Sequence, residues 1–205
     1  MSLVILSIAV AACRNRPPDD RNYETGIAAA RAAKDVAFKN SSDPVPPSRH
    51  AELLPLAYFP IEPSYKVPAS LKPTTDRAII TLPSTGGQRR MRKVGTLEFL
   101  LKGQALQLSA FLEIGGSNAD RLFVAFTDMT SGTETYPGGR YLDLDRNATG
   151  IYEIDFNRAY HPYCYYDPTY DCPYPPPENR LKVPIRAGER LKTARRAQSE
   201  VGSKR

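Results

Sequence analysis

The sequence predicts a mainly β chain: an antiparallel sandwich or partly open barrel, with one N-terminal helix and a long Tyr/Pro-rich irregular segment. Three features predict it. Short runs that alternate apolar and polar residues recur between Arg77 and Phe156, turn signals separate them, and no helical periodicity intervenes. The 19 prolines among 205 residues add much ordered but irregular backbone. A chain of this length supports one well-buried core, so a single domain is expected over residues 23–189.

Taken in order, residues 1–12 read as a secretory signal. Leu3 to Ala12 is an apolar run too short to span a bilayer as a helix but long enough for a signal's apolar region. Val10, Ala11, Ala12 and Cys13 look like a lipobox, in which small residues let processing enzymes approach the backbone beside the thiol. Only Met1 and Ser2 precede the run, without the usual Lys or Arg. The expected mature protein begins at a lipidated Cys13, is tethered by residues 13–22, and sits on the extracytoplasmic face of a membrane in an oxidising compartment.

Asp20 or Asn22 can cap a helix from Tyr23 to about Lys39, which NSSDPVPP stops. Arg31, Lys34, Asp35 and Phe38 share one of its faces, and long side chains there suit a helix lying on the domain. After a Pro-rich stretch, Arg77–Leu82 and Gln88–Val94 flank PSTGG as a hairpin. Leu97, Phe99 and Leu101 line one half-buried strand, and Leu106, Leu108, Ala110, Leu112 and Ile114 line the next. GGSNAD turns into Arg121–Thr127, read as a fully buried strand, and Tyr152, Ile154 and Phe156 line a last one.

Two stretches carry candidate chemistry. In Asp128–Asp145 the carboxylates Asp128, Glu134, Asp143 and Asp145 lie close together, and the Gly138-Gly139 pair makes a tight turn that aims Arg140 and Tyr141 back over the strand. Paired carboxylates can do acid/base work when their environments split their pKa values. The alternative is a solvated loop with Arg140 paired to a carboxylate. The oxygens do not fall at calcium-loop positions.

The second stretch, Asp155–Asn179, holds six of the chain's 12 tyrosines, together with His161, Cys164 and Cys172. Proline limits its backbone entropy while tyrosine supplies apolar faces with polar tips, so it can be rigid without regular structure. For Cys164 and Cys172 a disulfide, a metal site shared with His161, and separate buried thiols all stay open. The spacing is not that of a zinc site, and neither metal nor cofactor is expected.

Residues 190–205 form a basic tail, expected to be disordered. Between Arg186 and Arg205 seven bases face two acids, so most of the +6 net charge sits there and the body is nearly neutral. Nucleic acid is therefore not an expected partner. No Walker loop, G-x-S-x-G, H-E-x-x-H or dinucleotide turn occurs.

KDVAF (34–38), TDMTSGTETYPGGRYLD (127–143), DFNRAYHPYCYYDPTYDCPYPPPEN (155–179) and IRAGE (185–189) resemble the family called domain of unknown function 1684, over about Ala29 to Glu189. The resemblance implies a shared fold and carries no established activity. That family usually has Asn where His161 stands, which implies that His161 is not an indispensable base or ligand. Members without an export signal imply that a disulfide is not the fold's only support.

Three readings follow. In the first, a lipid-anchored envelope module binds a small ligand or envelope partner through the Tyr160–Asn179 segment and the Gly138–Asp143 turn, with Glu134, Arg140, Tyr141, Asp143, Asn157, Tyr163, Glu178 and Asn179 as candidate surface. In the second, a hydrolase-like enzyme uses Asp143, Glu134 or Glu178 as acid or base. In the third, Asp155, Asn157, Glu178 and Asn179 satisfy the backbone of an irregular wrap.

Overall fold

A computed structural model describes residues 20–76, 78–115 and 121–192. The signal region, Cys13, most of the tether, Arg77, most of the GGSNAD turn and the tail from residue 193 lie outside the described residues.

The helix α1 runs over Asp20–Lys39, starting a few residues before Tyr23. Its docking stripe is largely polar. Tyr23 donates to Asp155 Oδ1 (2.8 Å), Arg31 donates to the carbonyls of Phe59 and Asn157, and Asp35 accepts from the Leu56 N–H (2.7 Å). Ile27 and Phe38 supply the buried apolar contacts.

Seven strands follow, all paired antiparallel: β1 Lys66–Pro73, β2 Ile79–Ser84, β3 Gly87–Leu101, β4 Gln104–Glu113, β5 Arg121–Phe126, β6 Arg140–Asp145 and β7 Ile151–Asp155. The sheet order is β6-β5-β4-β3-β1-β7, with β2 paired to the first half of β3. The sheet curls until β6 and β7 approach without forming a ladder, giving a nearly closed barrel. At one end of that seam a single bridge joins Tyr141 and Tyr160 by reciprocal main-chain hydrogen bonds of 2.8 and 3.1 Å.

The barrel core is made by one side of each strand. Leu97, Phe99, Leu101, Leu108, Leu122, Val124, Phe126, Leu142, Ile154 and Phe156 meet inside, and Phe126 packs edge-to-face on Phe156.

Three stretches differ from the sequence expectation, the first being the Pro-rich one, which contains strand β1. Gln88–Val94 and the Leu97 run are one continuous strand, β3, bent by a bulge between Lys93 and Gly95. At Gly95 a Cβ would meet the Lys72 carbonyl at 2.3 Å, so the bend needs glycine. The supposed loop to Asp145 contains a strand, β6: Tyr141 and Asp143 point outward while Leu142 and Leu144 enter the core. Arg140 at its start does pair with a carboxylate, Asp128, but both are buried rather than solvated.

Candidate functional site

Because strand residues alternate in direction, the β5–β6 pair carries a second set of side chains on the barrel's outer face. Phe123 sits opposite Asp143 in the ladder and Tyr141 opposite Ala125. The Tyr/Pro-rich segment crosses this face as a roof. It is fastened at Tyr141, whose hydroxyl donates to the Pro173 carbonyl, and at the β2–β3 turn, where Thr85 N–H donates to Cys172 O (3.0 Å) and Gly86 N–H to Asp171 Oδ1 (2.7 Å).

Between roof and sheet lies an open cavity of about 390 Å³. Phe123, Tyr141 and Tyr160 supply rings in edge-to-face contact, with centroids 4.7 and 5.8 Å apart. Tyr163 and Tyr170 meet edge-to-face at 5.3 Å on its lining, and Tyr163 is 40% exposed. Polar groups alternate with the rings. Arg89 lies 3.0 Å from Glu113 and 3.3 Å from Asp171, Arg121 lies 2.8 Å from Asp145, and Tyr160 donates to Asp143 Oδ2 at 2.7 Å. Burial, reinforced by the Asp143 charge, raises the Tyr160 phenol well above its ordinary value, so this hydroxyl keeps its proton and donates.

Beneath the roof lies a second cluster centred on Glu189. Its buried carboxylate is 2.6 Å from Lys34 Nζ and accepts from His161 N–H (2.8 Å) and from the Tyr166 hydroxyl. The Lys34 ammonium also faces the rings of Phe38 and Tyr160, each 5.1 Å away. Burial, opposed only in part by Glu189, pushes His161 down to about 4. At neutral pH its 3.8 Å approach to Glu189 is thus not an ion pair.

The sequence-predicted residues divide among these places. Tyr141, Asp143 and Tyr163 line the cavity. Arg140 does not reach it: fully buried, it donates to the carbonyls of Ile185, Ala187 and Glu189 besides pairing with Asp128. Glu134 is on the surface with Arg186 (2.8 Å), and Glu178 lies 3.7 Å from Lys93. Asp143 lines two cavities and neither Glu134 nor Glu178 lines either, so the carboxylate set of the hydrolase reading does not meet. Asn179 binds both main-chain groups of Ser109 and the Ala125 carbonyl. Asn157 binds both main-chain groups of Glu62, and its amide donates to the Tyr23 hydroxyl.

Cys164 and Cys172 are neighbouring free thiols, with the Cys164 N–H 3.2 Å from Cys172 Sγ. His161 does not join them; its Nε2 accepts from the Tyr136 N–H. Among the described residues no group of three or more His, Cys, Asp or Glu side chains is arranged to hold a metal ion.

Sequence reasoning missed Arg89, Glu113, Arg121 and Phe123 as cavity residues, and included Tyr170 and Asp171 only as part of the Tyr160–Asn179 segment. The signal available was alternation: Arg121 and Phe123 occupy the outward positions of a strand read as buried on both faces.

The solution NMR structure of an uncharacterized protein of Haloarcula marismortui is similar at 34% identity, with 84% of this chain and 96% of that one covered and a TM-score of 0.66. No curated protein matches. The family described as protein of unknown function (DUF1684) matches residues 52–190, which include every strand and the buried Glu189 but not α1. The chain belongs to the DUF1684 family of proteins of unknown function.

Proposed function

We propose that this protein is an exported binding module, held at a membrane surface by lipid on Cys13, which takes a polyhydroxylated ligand such as an envelope glycan in the tyrosine-roofed cavity. The observation that carries the reading is the lining: aromatic rings interleaved with guanidinium and carboxylate groups in an open cleft of about 390 Å³. A sugar ring presents apolar C–H faces that pack on tyrosine and equatorial hydroxyls that both donate and accept. Asp143, Glu113 and Asp171 accept; Arg89 and Arg121 donate. These charges nearly balance and both guanidinium groups are already paired, Arg89 with Glu113 and Asp171 and Arg121 with Asp145, which suits a neutral polar ligand better than a strongly charged one.

The address rests on the Leu3–Ala12 run and the Val10-Ala11-Ala12-Cys13 motif. An extracytoplasmic surface is also where glycans are abundant.

A glycan array followed by ligand-detected NMR on the full chain tests the reading. A bound oligosaccharide should lose about tenfold in affinity in Tyr163→Ala and in Asp143→Asn, since each removes a contact worth more than about 1 kcal/mol at the centre of a small site. Tyr163 is 40% exposed, and circular dichroism of the variant checks that the fold is kept. An array without hits, or a hit indifferent to both substitutions, overturns the glycan reading.

A further inference from the structure

We propose that Cys164 and Cys172 form a reactive dithiol that undergoes reversible thiol–disulfide exchange in the folded protein, with Cys164 as the attacking thiol and Cys172 as the resolving one. The inference stands apart from the cavity's ligand and survives if no glycan binds.

Three observations carry it. The two cysteines are neighbours before any bond joins them: Cys172 Sγ lies 3.2 Å from the Cys164 nitrogen, and both pack in one cluster with Tyr141. Each half of the pair also has its own anchor in the fold. Cys172 is pinned to the β2–β3 turn through reciprocal hydrogen bonds with Thr85, of 2.9 and 3.0 Å, while Cys164 sits in the helical turn Tyr163–Tyr166, which Arg49 holds by donating to the Tyr165 carbonyl at 3.1 Å. Making or breaking the bond therefore needs no refolding, unlike a staple that draws distant segments together. Finally, the two differ in access and in charge. Cys164 is half-buried and Cys172 is 6% exposed. Hydrogen bonds from Cys172, then from Tyr136 and Thr85, hold Cys164 down to about 7 against the opposing effect of burial, whereas the hydrogen bond to Cys164 and burial raise Cys172. The lowered pKa and the greater exposure of the residue both favour Cys164 over Cys172 as the attacking thiol.

The oxidant is a low-molecular-weight disulfide, RSSR. The Cys164 thiolate attacks one of its sulfurs, forming Cys164–S–S–R and expelling RS⁻. Cys172 then gives up its proton to that thiolate and attacks Cys164 Sγ, forming the Cys164–Cys172 bond and expelling the second RS⁻, which takes up the proton that Cys164 had shed to solvent. The protein loses two electrons and two protons, and RSSR becomes two RSH. A dithiol reverses every step.

The test uses the full chain carrying Cys13→Ser, so that only this pair reacts. Folded protein is incubated with oxidised glutathione and then with dithiothreitol, and followed by intact mass and peptide mapping. The proposal expects a product two hydrogens lighter with Cys164 and Cys172 in one linked peptide, restored by dithiothreitol without denaturant. Cys172→Ser should accumulate one glutathione on Cys164, and Cys164→Ser should gain at least tenfold less on Cys172, with circular dichroism confirming that both variants fold. Free thiols that resist glutathione in the folded state overturn it. So does a pair isolated already bonded that dithiothreitol reduces only after unfolding, for that is a static staple. Equal or faster capture at Cys172 overturns the assignment of the attacking sulfur.

Discussion

A fully buried guanidinium is tolerated only where every donor finds an acceptor and a carboxylate offsets its charge, because desolvation otherwise exceeds any Coulombic return. Arg140 comes close to that condition: burial pulls its pKa down, Asp128 opposes the shift, and the carbonyls of Ile185, Ala187 and Glu189 take its remaining N–H groups except Nε. It thereby fastens the chain that delivers Glu189 to Lys34. Arg140→Met should cost about 4 kcal/mol in urea unfolding, since it strands the Asp128 charge. Adding Asp128→Asn should recover part of that loss, because the second change removes the stranded charge; a double variant worse than the single one would show that the carbonyl contacts dominate. His161 gives a pH dependence of definite sign. Its folded-state pKa of about 4 lies below the ordinary 6.5, because the ring is buried and the charges of Arg140 and Lys34 oppose that of Glu189. The unfolded chain therefore binds the proton first, and the stability this neutral imidazole contributes is complete above 6.5 and lost as pH falls toward 4, by about 3 kcal/mol in all. His161→Asn does not titrate, so its stability should fall less over that window; parallel curves for the two proteins would contradict the shift.

At the scale of elements, the irregular wrap is held to the barrel by side-chain amides that imitate a strand. Asn179 is fully buried, accepts from Ser109 N–H at 2.7 Å, and donates to the carbonyls of Ser109 and Ala125 at 2.9 and 2.7 Å. Asn179→Ala should cost roughly 2–3 kcal/mol by leaving those groups unpaired, and Asn179→Asp should cost more, because it faces two carbonyl oxygens with a carboxylate. Thermal melts of the two variants check the order, and a milder effect for Asp would mean that water satisfies the site. Which elements the sequence disclosed follows the same logic. Alternation gave β2, β4 and β7 and both halves of β3, since their inward residues are aliphatic or aromatic, while β5 was read from a continuous apolar run. Strand β1 was lost in a Pro-rich stretch because Pro68 signals a break, yet it sits paired opposite Glu153. Strand β6 was lost because it begins with a buried arginine, and only its partners make an arginine an interior residue. Of the cavity, Tyr141, Asp143 and Tyr163 were legible from local density of tyrosine and charge. Arg89 and Glu113 were not, because they come from the far ends of β3 and β4 and join the site only through register.

At the scale of the whole molecule, attachment and fold are separable. Among the described residues no helix is long and apolar enough to cross a membrane, and the barrel carries the cavity on an outer face under the tyrosine roof. In the proposed arrangement the acyl chains on Cys13 do the holding, and the bases of the tail, Arg195, Arg196, Lys204 and Arg205, add an attraction to anionic headgroups. These contributions answer differently to salt, for Coulombic attraction at a surface is screened within about 3 Å at 1 M ionic strength while acyl insertion is not. In a lipoprotein-processing bacterial host, the full chain should stay in the membrane fraction through a 1 M salt wash and leave it in detergent. Cys13→Ala should appear in the soluble fraction after that wash, with circular dichroism checking that the domain still folds. Should Cys13→Ala remain bound through high salt, the lipid is not the anchor; should the full chain wash off with salt, the tail alone accounts for its attachment.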